Sequence, residues 1–163
     1  MKEYLGGVEM SPGFLVMPHV VLGVWGIFAA LWFFVEALNV CEKNLSRLRI
    51  SSLVQAVLIS LSYLTGGWWY VKFYALHDRG TILKGPFPAG HTFFMEAKEH
   101  IFFILLLCSL ILPIIAYQNN LSENKTARKL AMTVTVIIII LGFAMEGAGS
   151  FIVQSVKMGL GGK

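Results

Sequence analysis

The length of its unbroken apolar runs most constrains what this chain can fold into. Four such runs are separated by short polar stretches, over about residues 13–38, 50–76, 90–117 and 130–156. A helix needs about 20 predominantly apolar residues to cross the hydrocarbon core of a bilayer. In lipid every backbone N–H and C=O must be satisfied within its own segment or by close neighbours. Barrel strands are shorter and alternate in polarity, whereas these runs are continuous. The expectation is an all-α integral membrane four-helix bundle, with residues 1–163 forming a single membrane domain. Composition agrees. Only 13% of the residues are charged, against about 25% in a soluble domain. That excludes a soluble enzyme, a disordered tail and a disulfide-stapled secreted module.

The connections suggest an orientation. NVCEKNLSRLR between the first two runs carries Lys43, Arg47 and Arg49 against Glu42, and QNNLSENKTARK between the last two carries Lys125, Arg128 and Lys129 against Glu123. Short basic loops stay on the cytoplasmic side. Both termini and the long HDRGTILKGPFPAGH loop then face outward, in a bacterial-type cytoplasmic membrane. The first twelve residues hold one basic side chain, Lys2, and no cleavage-type ending, so the first run reads as a retained span. The net charge of +4 comes largely from loop lysines and arginines. It points to anionic lipid rather than nucleic acid, because no basic stripe with interleaved aromatics lies outside the spans. Cys41 and Cys108 fall at different depths and read as two free thiols.

Ionisable residues inside a span are costly and usually face a bundle interior, a cavity or a cofactor. Those here are His19, Glu36, Glu96, Glu99, His100 and Glu146. Glu36 is close enough to a span end to reach headgroups or Lys43. Counted from the ends of the apolar runs, the others fall in one band roughly 9–15 Å below the outer surface, at ~1.5 Å per residue. Their faces also carry small residues: His19, Gly23, Gly26 and Ala30 form one stripe, and Gly142, Glu146 and Gly149 another. Ser62, Thr65 and Gly66 add a third small-residue stretch. On the third run Glu96 and His100 are four apart and share a face with Phe103 and Leu107. Glycines can serve helix packing. Beside a membrane histidine they can also leave room for a flat macrocycle.

Three chemistries suit this constellation. The leading expectation is a b-type haem in an electron-transfer protein or oxidoreductase subunit, with His19 and His100 as axial ligands to the iron. Gly23, Gly26 and Gly66 would line the slot, and Glu96 would orient an imidazole. The arrangement resembles that of membrane cytochrome b subunits in architecture, without a shared linear motif. A quinone or a periplasmic redox protein would be the electron partner. The second chemistry is a non-haem transition-metal site drawing on His19, Glu96, His100 and Glu146, with Glu99 in reserve. Soluble di-iron bundles pair Glu and His at three residues rather than four. The third is a proton or ion path, or a cofactor-free anchor subunit of a larger complex or homo-oligomer, with Lys98–Glu99 and the outer loop meeting the partner. His91, at the start of the third run, is an alternative ligand, and His77 reads as an interfacial polar group. Gly66 to Tyr74 reads as an interfacial aromatic belt. No nucleophile elbow, phosphate loop or zinc-protease spacing is present, so a hydrolase is not expected.

Overall fold

A computed structural model describes residues 3–5, 8–10 and 16–161. Two three-residue strands, β1 (Glu3–Leu5) and β2 (Val8–Met10), pair antiparallel with Glu3 opposite Met10. The expected beginning of the first span, at residues 13–15, lies outside the described residues. From residue 16 onward every regular element is helical.

Helix α1 (Met17–Leu38) has a proline at its start, where a missing N–H removes no intrahelical bond. It ends at Asn39, and a 3₁₀ turn over Glu42–Asn44 leads into α2 (Leu45–Trp69). Asn44 holds this turn together. Its side-chain oxygen accepts from the Cys41 N–H at 2.8 Å, and its amide donates to the Glu36 carbonyl and carboxylate at 3.1 and 3.0 Å. Glu36 also pairs with Arg47 at 3.0 Å, rather than with Lys43. The helix does not stop at residue 76. It continues as a π-helix over Tyr70–Asp78 and then as α3 (Arg79–Lys84), because no breaker intervenes before Gly85 and Pro86. A second π-helical stretch, Gly90–Met95, opens α4 (Glu96–Gln118). Asn124 then caps α5 (Lys125–Gly159) by accepting from the Ala127 N–H at 3.0 Å.

Helices α1 and α4 each pack against both α2 and α5, which makes a square bundle with α1 facing α4 across one diagonal. Small residues let the helices approach. A Cβ on Gly26 would meet Ile59 Cδ1 at 2.7 Å, and one on Gly142 would meet Ile27 Cγ1 at 2.7 Å. Ala30, Phe33, Leu48, Leu105, Leu112, Ala131 and Ile138 fill the core between these contacts. The exterior is apolar: Met17, Val21, Trp25, Phe28, Trp32 and Val35 form one exposed stripe on α1. Serines and a glutamine lie inside, with Ser51, Ser52, Gln55, Ser62 and Ser109 all buried. Apolar outside and partly polar inside is the pattern a lipid solvent selects. Four helical segments are long and apolar enough to cross a membrane.

Asp, Glu, Lys, Arg and His are absent from residues 20–35, 50–71, 101–122 and 130–145. These stretches are 16 to 22 residues long, or ~24–33 Å of helix, which matches a hydrocarbon core of about 30 Å. At one end of this band, the turn end, lie the α1–α2 and α4–α5 turns. Asn120 and Ser122 there hydrogen-bond the Glu42 carboxylate and tie the two turns together. At the other, the terminal end, helices α2–α3, α4 and α5 run past the band. There they build a second small core from Tyr74, Ile82, Met95 and Ile152.

Candidate functional site

Just inside this second core, side chains from all four bundle helices converge. His19 comes from α1, Ser62 from α2, Lys98 from α4 and Glu146 from α5. They line a cavity of about 10 Å³ whose apolar walls include Ile27, Ile59, Phe102, Leu105 and Met145. That is the room of roughly one water molecule.

The hydrogen bonds around His19 fix its tautomer. Nδ1 lies 2.8 Å from the Ser62 carbonyl oxygen. A carbonyl can only accept, so Nδ1 carries the proton and Nε2 is the basic nitrogen of the neutral ring. The Ser62 hydroxyl donates to the His19 carbonyl at 2.9 Å, and its oxygen lies 3.1 Å from Nδ1. Phe102 lies 6.3 Å from the imidazole, centroid to centroid. Lys98 and Glu146 are partly buried, and their charges attract one another.

Each charged or ionisable side chain is seated by a glycine on a neighbouring helix. A Cβ on Gly66 would sit 2.5 Å from His19 Nδ1, and one on Gly23 would sit 2.9 Å from Glu146 Oε1. A Cβ on Gly149 would sit 3.1 Å from Lys98 Nζ. The small-residue stripes therefore accommodate the polar side chains of this site. Gly26 differs from them, because it receives Ile59.

The structure brings together His19, Gly23, Gly66 and Glu146 from the residues singled out in the sequence. It places the others elsewhere. Glu96, Glu99 and His100 are exposed, as are Phe103 and Leu107 on the same side of α4. His100 Nδ1 lies 2.7 Å from the Glu96 carbonyl, one turn back on its own helix. The face expected to point inward thus points outward. The inward face runs through Lys98, Phe102, Leu105, Ser109, Leu112 and Ala116. His91 is buried in the second core, where Nδ1 lies 3.0 Å from the Tyr74 hydroxyl. His77 is exposed and bonds the Phe73 carbonyl. Depth also differs from the expectation. His19, Lys98 and Glu146 sit at the edge of the ionisable-free band, because residues 90–95 continue α4 beyond the band and shift its apparent start.

Lys98 is the functional residue that sequence reasoning missed as an inward group. Its signal was present: Phe102, Leu105, Ser109, Leu112 and Ala116 follow it at intervals of 4, 7, 11, 14 and 18 residues. Attention to the Glu96–His100 pair selected the opposite face.

A haem between His19 and His100 would need both imidazoles at one slot. Here one faces the interior and the other is exposed. The glycine cradle at Gly23 and Gly66 is filled by Glu146 and His19, and the remaining room suits a single water. These residues do not fit a haem. Among the described residues, no group of three or more His, Cys, Asp or Glu side chains is placed to hold a metal ion. Compared with protein-family models, curated proteins and solved structures, the chain matches none.

Proposed function

We propose that this chain is a membrane-embedded proton-path protein, and that His19, Lys98 and Glu146 form its proton-exchanging site. The observation that carries the reading is the seating of three ionisable side chains, from three helices, in three glycine notches around a water-sized cavity. Packing alone does not call for this. Helix association in lipid is served by small residues and hydroxyls, and buried ionisable groups in a membrane carry a cost that function usually accounts for.

The chemistry follows from the tautomer. His19 Nε2 takes a proton from the cavity water while Nδ1–H remains on the Ser62 carbonyl. The new positive charge is repelled by Lys98 and attracted by Glu146, so the carboxylate keeps the charged state within reach. Release to the water returns the ring to neutrality. Only O–H and N–H bonds form and break. Ser62 holds the ring plane, and Phe102 and Met145 exclude bulk water.

The test is proton uptake by proteoliposomes under an imposed potassium diffusion potential, read with an internal pH dye. The wild-type chain is expected to acidify the lumen faster than empty vesicles. Glu146→Gln is expected to lower the rate at least tenfold without loss of folded protein. Uptake equal to that of empty vesicles would overturn the proposal. A Soret band in the purified protein would return the haem expectation to first place.

A further inference from the structure

We propose that the buried polar face of α2 continues the proton path from the His19 cavity toward the turn end, through a water held at Gln55 Oε1. The inference rests on the function proposed above and extends it to a second site.

Ser51, Ser52, Gln55 and Ser62 lie on the inward side of α2 and are each at most 1% exposed. This is a polar stripe along a helix whose outward residues Leu53, Val54, Val57, Leu61 and Leu64 are exposed and apolar. Gln55 donates from Nε2 to the Ser109 hydroxyl on α4 at 2.7 Å. Its other polar atom, Oε1, is buried and has no hydrogen-bond partner among the described residues. A buried amide carbonyl needs a donor.

The buried hydroxyls nearby in the fold have no hydrogen left to give. Ser51 donates to the Leu48 carbonyl, Ser52 to Arg49, Ser109 to Leu105 and Thr135 to Ala131. A hydroxyl has one hydrogen, so the donor to Gln55 must come from outside the protein. A water molecule supplies two hydrogens and two lone pairs, which is what both a donor to Oε1 and a carrier of a mobile proton require. If Gln55 served only to join α2 to α4, one polar atom facing Ser109 would be enough.

Between Gln55 and the His19 cavity the stripe has one apolar member, Ile59. It inserts against Gly26 of α1 and forms part of the cavity wall. Apolar constrictions gate membrane paths by excluding water. Ile59 is therefore the barrier between two wet positions, and its displacement joins them. Protons then pass by hops along O–H···O bonds, each water taking one proton and giving up one, with no other bond made or broken.

The experiment uses the full chain in proteoliposomes with the same dye and potential. Gln55→Met keeps length and removes both polar atoms, and its folding is checked by monodispersity and thermal melting. Its uptake rate is expected to fall at least tenfold, while Ile59→Ala raises the rate several-fold. A Gln55→Met chain that folds and conducts at the wild-type rate overturns the path through this residue. A second readout does not depend on flux: infrared spectra of protein carrying carbon-13 side-chain glutamine, with Gln55→Met subtracted. A Gln55 carbonyl band at the hydrogen-bonded frequency that responds to deuterated water supports the water site. A band at the unbonded frequency, insensitive to solvent, overturns it. Wild-type chain without flux would overturn the proposed function and the path together, and the band would still decide the water.

Discussion

Two adjacent glycines on α2 give a sharp contrast. A Cβ on Gly66 would lie 2.5 Å from His19 Nδ1 and 2.7 Å from Cε1, whereas a Cβ on Gly67 would meet nothing within 4 Å. Gly66→Ala therefore has to push the imidazole back by about 1 Å to reach ordinary contact distance. That displacement breaks the 2.8 Å bond to the Ser62 carbonyl. Overpacking of this kind costs about 1–3 kcal/mol, and the lost hydrogen bond about 0.5–1.5 kcal/mol. The better helix propensity of alanine offsets about 1 kcal/mol. The net expectation for Gly66→Ala is a loss of about 1–3 kcal/mol, while Gly67→Ala gains about 0.5–1 kcal/mol. At about 2–4 °C per kcal/mol for a chain of this size, the two melting curves move in opposite directions from the wild type. Thermal unfolding of detergent-purified protein, followed by tryptophan fluorescence, measures both. Equal shifts in the same direction would refute the seating of His19 against α2.

Three further predictions rest on the same geometry. Lys98→Met removes the cation facing Glu146 and should destabilise the protein by about 1–3 kcal/mol in thermal melts, less than for a fully buried pair because both side chains are partly exposed. Unchanged stability and unchanged flux would show that Lys98 takes no part in the site. Cys41 is exposed at the turn end and Cys108 is half-buried in the bundle. A membrane-impermeant maleimide is therefore expected to label Cys41 first, and from the cytoplasmic face if the positive-inside reading of the loops is right. Preferential labelling from the opposite face would reverse the proposed orientation. Finally, protein purified from cells supplied with haem and metals should show no Soret band on dithionite reduction and no stoichiometric transition metal in elemental analysis. Either signal would contradict the cofactor-free site.

The four spanning helices were legible in the sequence because hydropathy and run length report directly on the lipid solvent. The extension of α2 to Lys84 was not, since His77, Asp78 and Arg79 look like the end of a span while remaining compatible with helix. Polarity marks where the bilayer stops; the backbone stops only at Gly85–Pro86. His19, Gly23, Gly66 and Glu146 were legible as site residues because an ionisable group and small residues at helical spacing on separate runs stand out from their surroundings. The rotation of α4 was read in reverse. Glu96 and His100 made a conspicuous pair, but its flanks Phe103 and Leu107 suit lipid as well as a core, and in a membrane helix hydrophobicity does not distinguish inside from outside. Ser109, on the Lys98 stripe, carried the better signal. The partnership of Gln55 with Ser109 joins residues 54 apart in sequence and needed the packed bundle to appear.

The most direct test of the account compares two histidines. His19→Ala and His100→Ala are reconstituted at equal density, and proton uptake is measured under the same imposed potential. The account predicts that His19→Ala lowers uptake at least tenfold and that His100→Ala, exposed on the far face of α4, leaves it within twofold of wild type. Equal loss in both variants would contradict the account and restore a site shared by the two imidazoles.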